Sequence, residues 1–208
     1  MKFTFANPTQ PKGVVVAFAL EGAKLTPSAK TLDAATGRAI SRAVKVSRFS
    51  GKKGQQLTLL APGGGKTGAT FDRVVLVGLG KAKDVDARAM QDAGGAAYAA
   101  LATVADRADV LVDAVAKRGV SAAEAAAEFS FGMQLRSYRF DKYRTREKPD
   151  QKPTLRTARI VCDGAAAARR LYQTHEDVAD GVFLTRDLVS EPPNVLYPVE
   201  FARRARSE

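Results

Sequence analysis

The 208-residue sequence has no tryptophan, one cysteine and one histidine. With Cys162 alone, no intramolecular disulfide and no Cys-rich metal site can form within the chain. His175 is the single imidazole, so a His-based metal centre or a Ser-His-Asp triad has little to be built from. Long apolar runs are missing too. The run at positions 14–20 has seven residues, against the roughly 20 needed to cross a bilayer. It reads as a buried strand, and no membrane is expected as a partner. Residues 1–8 lack the apolar stretch of a secretory signal. The absence of disulfide potential fits a reducing compartment, and a cytoplasmic location is expected.

What is present is ordinary for a soluble globular protein: 45% apolar and 26% charged residues. The length suits one domain with an appendage, or one domain and the opening of a second. The formal charge is +11 and unevenly spread. Positions 1–150 hold 24 Lys and Arg against 14 Asp and Glu, and positions 151–208 hold 9 against 8. Such an excess favours encounter with polyanions without specifying a fold.

Short runs rich in β-branched residues predict strands at 2–5, 14–20, 55–61, 73–78, 108–112 and 156–162. The run Arg73-Val74-Val75-Leu76-Val77-Gly78 is continuously apolar, as for a strand covered on both faces. Helices are predicted between them. One spans 28–44 with a break near Gly37. A second, at 86–104, carries Met90, Ala93, Ala97, Leu101 and Val104 as an apolar stripe, with Asp84 or Asp86 as its cap. Gly94-Gly95 inside it costs helix propensity, and close packing on a strand would account for the pair. Ser121 and Glu124 form a capping-box pattern that opens a helix to about 137. A long helix follows at 165–189, with Leu171, Val178, Val182, Val189 and His175 in one stripe. A last helix is predicted at 198–206, with Pro198 in its first turn. Strands alternating with helices imply an α/β layer structure.

Several motifs suggest ligands and have plainer readings. Gly63-Gly64-Gly65-Lys66-Thr67 resembles the end of a phosphate-binding loop, but Leu60 stands where the first glycine belongs, and a strand follows in place of a helix. Gly78-Leu79-Gly80-Lys81-Ala82-Lys83 has Lys83 at the third glycine of a dinucleotide fingerprint, and a tight turn explains its glycines equally well. Lys45, Arg48, Lys52 and Lys53 lie in a basic loop suited to phosphate contact. Arg139, Lys142 and Arg144 alternate with Tyr138, Phe140 and Tyr143, as in a surface that stacks bases and neutralises phosphates. These seven cations are the candidate nucleic-acid contacts. The plainer reading of the first stretch is a solvated turn, and that of the second is packed aromatics with solvated charges. His175 reads as a packed or surface residue and Cys162 as a small buried hydrophobe.

Several of these stretches together resemble the leucyl aminopeptidase family. Val74-Val75-Leu76-Val77-Gly78-Leu79-Gly80-Lys81 resembles its first strand and turn, and Ala93-Gly94-Gly95-Ala96-Ala97 the helix that follows. Tyr138-Arg139-Phe140-Asp141-Lys142-Tyr143 is similar to its Y-R-F-D-x-Y segment. Thr185-Arg186-Asp187-Leu188-Val189-Ser190-Glu191-Pro192-Pro193-Asn194 resembles its A-R-D-L-V-N-x-P-x-N segment at the opening of the catalytic domain, with Ser190 in place of Asn. The ordered match extends over positions 74–202.

The resemblance implies a mixed sheet flanked by helices in a macro-like α/β domain at 1–163. It also implies a long connecting helix and the truncated start of a catalytic domain at 164–208. It implies an exopeptidase that removes N-terminal amino acids with two divalent metal ions, manganese or zinc, and that assembles as a hexamer. The family's metal motifs, K-G-x-x-F-D-x-G-G and N-T-D-A-E-G-R, do not occur in this sequence. No catalytic or metal-binding residue is therefore assigned, and no cofactor is expected on this chain. It is expected to act as scaffold for a missing catalytic domain and to be inactive alone. The alternatives are a DNA-binding module built on the basic half, and a macro-like site for an ADP-ribose-type ligand.

Overall fold

The computed structural model describes residues 1–63, 71–115 and 120–206. Its strands are β1 (Lys2–Ala6), β2 (Val14–Leu20), β3 (Lys24–Leu25), β4 (Gln56–Leu60), β5 (Arg73–Gly78), β6 (Arg107–Val112) and β7 (Thr157–Cys162). Its helices are α1 (Pro27–Ala35), α2 (Ala39–Val46), α3 (Ala87–Leu101), α4 (Ala122–Ser137), α5 (Ala165–Ser190) and α6 (Pro198–Ala205). The strands form one sheet in the order β1-β7-β6-β2-β5-β4, with β3 beside β2. Strands β1, β7, β6, β2 and β5 run parallel, and β4 and β3 are antiparallel to their neighbours. This is the mixed α/β sheet expected. Residues 64–67 of the phosphate-loop-like run lie outside the described residues.

The period-2 alternation of strand side chains divides the core into two layers. Val16, Phe18, Val75 and Val77 face α3 and α4, while Val15, Ala17, Val74 and Leu76 face α1 and α2. All eight are fully buried, which is why β2 and β5 read as continuous apolar runs. The predicted helix at 28–44 is two helices. Gly37 and Arg38 both take positive φ, 60° and 62°, and the helix breaks there. The pair β3 and the short 3-10 turns at Ala82–Asp84 and Pro149–Gln151 were too brief to leave a periodic signal.

Asp86 caps α3 by accepting from the Ala89 amide at 2.8 Å. Met90, Ala93, Ala97 and Leu101 are buried as expected, but Val104 lies past the helix end and is 47% exposed. The glycine pair in α3 packs on a helix, not on a strand. A Cβ on Gly94 would fall 2.1 Å from the Phe129 carbonyl oxygen of α4. Helix α4 opens with the full capping box of Ser121 and Glu124. It then buries Ala122, Ala123, Ala125, Ala126 and Ala127, and these small side chains let neighbours approach on several sides.

Helix α5 lies along α4 and β1 through Ala168, Tyr172 and Ala179. One member of the stripe expected from sequence, His175, departs from it. His175 turns toward α4, stacking on Phe131 with ring centroids 4.8 Å apart and placing Nε2 3.2 Å from Glu128. Leu171, Val178 and Val189 remain on the outer side, 42%, 50% and 81% exposed.

Candidate functional site: a loop that grips the long helix

After Ser137 the chain leaves α4 and crosses the C-terminal end of α5. Tyr138 packs on Phe183 (centroids 5.3 Å apart) and donates its hydroxyl to Asp187 Oδ1 at 2.8 Å. The Arg186 guanidinium lies 5.4 Å from the Tyr138 ring centre and reaches the Leu135 carbonyl at 3.2 Å. Burial and the Asp187 carboxylate raise the Tyr138 pKa.

Four residues on, Glu191 closes the arrangement. Its carboxylate accepts from Lys142 Nζ at 2.5 Å, from the Tyr143 hydroxyl, and from Arg204 of α6 at 3.3 Å. The Glu191 side chain is only 3% exposed. The Lys142 and Tyr143 hydrogen bonds hold its carboxyl near pKa 2. Glu200 on α6 is held near the same value by Arg203 and Arg204, both at 2.8 Å. The loop thus fixes the end of α5, and Glu191 ties Arg204 in the last turn of α6 to it. A cleft of about 350 Å³ lies between them, lined by Phe140, Lys142, Leu184 and Glu191 among others.

The structure separates the seven candidate nucleic-acid contacts into two groups. Lys45, Arg48 and Lys52 are exposed and form no ion pair among the described residues. Lys53 pairs with Asp92 of α3 at 2.9 Å. In the second group Arg139 pairs with Glu147, Lys142 with Glu191, and Arg144 approaches Glu147 at 4.0 Å. Their aromatic neighbours Tyr138 and Phe140 do pack, and Lys142 and Arg144 stay largely exposed while also facing carboxylates. Asp187, Glu191, Glu200 and Arg204 were missed as partners. Asp187 and Glu191 stand 49 residues from Tyr138 and Lys142, and no local spacing signals so distant a pairing.

Other motifs resolve into structure. Gly78 and Gly80 pack on the backbone of the basic loop. The Gly54 amide bonds the Gly78 carbonyl at 3.0 Å and the Gly80 amide bonds the Gly51 carbonyl at 2.9 Å. A Cβ on Gly78 would fall 2.2 Å from the Lys52 carbonyl oxygen, so the space a pyrophosphate would need holds protein backbone. Cys162 is 2% exposed, and burial pushes its thiol pKa up to about 11. A cleft of about 540 Å³ lies at the carboxyl ends of β6 and β7, where open parallel sheets commonly take ligands. It is walled by Leu32, Phe71, Leu111 and Val161 and rimmed by Asp113 and Asp163. Asp113 already accepts from the Ser28 hydroxyl (2.6 Å) and amide (3.0 Å), which ties it to the start of α1. Among the described residues no three His, Cys, Asp or Glu side chains are placed to hold a metal ion, and no helix is long and apolar enough to cross a membrane.

The fold is therefore a three-layer α/β domain with a long helix clamped by its own loop. Residues 14–147 match the N-terminal domain of the cytosol aminopeptidase family, and the chain belongs to that family. It is 39% identical over 209 residues to a probable cytosol aminopeptidase of Caulobacter vibrioides, covering 99% of this chain and 40% of that protein. A probable cytosol aminopeptidase of Rhizobium etli is 39% identical over 196 residues, covering 93% and 38%. Among solved structures, a tomato leucine aminopeptidase mutant superposes with TM-score 0.81 at 27% identity, over 100% of this chain and 41% of that one. The bottromycin maturation enzyme BotP in complex with Mn superposes with TM-score 0.67 at 27% identity, over 93% and 35%. The chain spans about 40% of the length of the curated relatives it matches.

Proposed function

We propose that this chain is the N-terminal portion of a metal-dependent leucyl aminopeptidase. Residues 1–163 would be its α/β domain, and 164–208 its connecting helix and the first stretch of the catalytic domain. The observation that carries this reading is the exposed apolar side of α5. Leu171, Val178 and Val189 are uncovered on a helix whose far end is fixed by the Tyr138 and Glu191 contacts. Exposed apolar side chains aligned on one helix face support an interaction surface there. The family match and the 40% coverage of its relatives support the remaining part of such an enzyme as the cover. In the complete cytoplasmic protein two divalent ions, manganese or zinc, would activate water and polarise the scissile carbonyl of a peptide. This portion would orient that site and contribute to a homo-oligomer, a hexamer by family resemblance. Leucine p-nitroanilide with added manganese or zinc tests the division of labour. The 208-residue chain is expected to release no nitroaniline above a metal-only control, and turnover would overturn the reading.

A second reading is DNA binding, favoured by Lys45, Arg48 and Lys52, which are exposed and form no ion pair among the described residues. Arg139, Lys142 and Arg144 support it less, because carboxylates already face them. Duplex affinity should fall with salt. A flat salt dependence, or no binding at low salt, would remove this reading.

A further inference from the structure

Among the described residues strand β1 is an edge of the sheet and pairs only with β7. The Lys2 amide donates to the Arg156 carbonyl at 2.8 Å. Successive residues of a strand turn their amides and carbonyls to opposite sides. Those of Phe3 and Phe5 therefore face outward, away from β7. Such an edge is a template for an added strand.

Beside it lies a cleft of about 530 Å³ between β1 and one side of α5, where Arg169, Tyr172, Gln173 and Glu176 form the wall. Tyr172 is 4% exposed, with its ring 5.1 Å from that of Phe3 and 5.6 Å from that of Phe5. Its buried hydroxyl has no hydrogen-bond partner among the described residues. A buried hydroxyl left unpaired is costly and calls for a partner. Arg169 and Glu176 form no ion pair among the described residues, although other cations of the chain are matched by nearby carboxylates. The Ala165 amide donates to Asn7 at 3.3 Å, so α5 begins beside the end of β1 and runs back along it. Arg169 thus lies toward the C-terminal end of β1 and Glu176 toward its N-terminal end. Seven helical residues separate them by about 10 Å, and three extended residues span about the same length.

We propose that this cleft binds a short extended peptide with free ends, added as a strand parallel to β1. Its ammonium lies toward Glu176 and its carboxylate toward Arg169. Its main chain pairs with Phe3 and Phe5, and one peptide group bonds the Tyr172 hydroxyl. The alternating donors and acceptors of the edge select an extended backbone. The two opposite charges at tripeptide spacing select free ends, which an internal strand of a second copy does not offer. The site uses only residues of this chain, and its test involves no turnover, so it stands or falls separately from the aminopeptidase reading.

The test is an NMR titration of the isotope-labelled 208-residue chain with trialanine and with acetyl-trialanine amide. Trialanine should give saturable shifts at Phe3, Phe5 and residues 169–176, with slowed hydrogen exchange of the Phe3 and Phe5 amides. Blocking both ends should weaken binding about fivefold. Tyr172→Phe, which keeps the ring against Phe3 and Phe5, should weaken it about fivefold and leave the rest of the spectrum in place. Three results would each overturn the proposal: no shifts at saturating trialanine, equal binding of the blocked peptide with no effect of Tyr172→Phe, or protection of Phe3 and Phe5 by dimerisation without peptide.

Discussion

Gly94 of α3 and Gly132 of α4 meet the opposite helix backbone to backbone. A Cβ on Gly94 would lie 2.1 Å from the Phe129 carbonyl oxygen, and one on Gly132 would lie 2.0 Å from the Gln91 carbonyl oxygen. Neither obstacle is a flexible side-chain end, so added methyls must push the helices apart. Gly94→Ala and Gly132→Ala should each destabilise by about 2 kcal/mol or more, read as a lower urea midpoint. Gly181 on the outer side of α5 has no atom within 4 Å of such a Cβ. Gly181→Ala should instead stabilise by about 0.5–1 kcal/mol through helix propensity. Equal behaviour at all three positions would contradict the close crossing.

The grip on α5 should resist acid. Lys142 first, and Tyr143 second, lower the Glu191 pKa from 4.5 to about 2. A carboxylate whose pKa is depressed by folding stabilises fully above its unfolded value and loses that contribution as pH falls through the folded one. The window here runs from 4.5 down to about 2. An NMR titration of the Glu191 carboxyl carbon should find it still ionised at pH 3.5. Lys142→Met should move its midpoint upward, toward the ordinary carboxylate range. A wild-type midpoint near 4.5 would refute the contact.

Cys162 should be chemically quiet in the folded chain. Its thiol is buried and titrates near 11, and the thiolate is the reactive form. Iodoacetamide at about pH 8 should label it slowly in buffer and rapidly in unfolding urea. Fast labelling of the native protein would show that the end of β7 opens.

An ADP-ribose-type ligand should not bind the cleft at the ends of β6 and β7. Asp113 and Asp163 rim it, and among its described lining residues there is no Lys or Arg to meet a diphosphate. Titration calorimetry with ADP-ribose should give no heat, and saturable heat would reverse this expectation.

Much of the fold was legible because its signals are local. The apolar runs of β2 and β5, the capping box at Ser121 and the proline at the head of α6 each declare an element within a few residues. What stayed hidden depends on distant chain. The Gly94-Gly95 pair announced a close approach but not its partner, since a helix and a strand ask for the same missing side chain. Leu171, Val178 and Val189 share one face of α5 as their spacing indicated, but periodicity could not show that His175 turns from it to stack on Phe131, or that Tyr172 is the residue packed on Phe3 and Phe5. The resemblance to Y-R-F-D-x-Y drew attention to the loop at 138–143. That Tyr138 and Lys142 reach Asp187 and Glu191 emerges only when α5 lies down on α4.

Helix α5 is held at its inner face by Ala168, Tyr172 and Ala179 and bare along Leu171, Val178 and Val189. Residue-resolved hydrogen exchange of the 208-residue chain, with sedimentation to fix its association state, tests this directly. The expected result is weak protection across residues 171–189 in the monomer relative to α4, or protection that rises only as the chain self-associates. Protection of residues 171–189 equal to that of α4 in a concentration-independent monomer would contradict it, because the outer face of α5 would then need no cover.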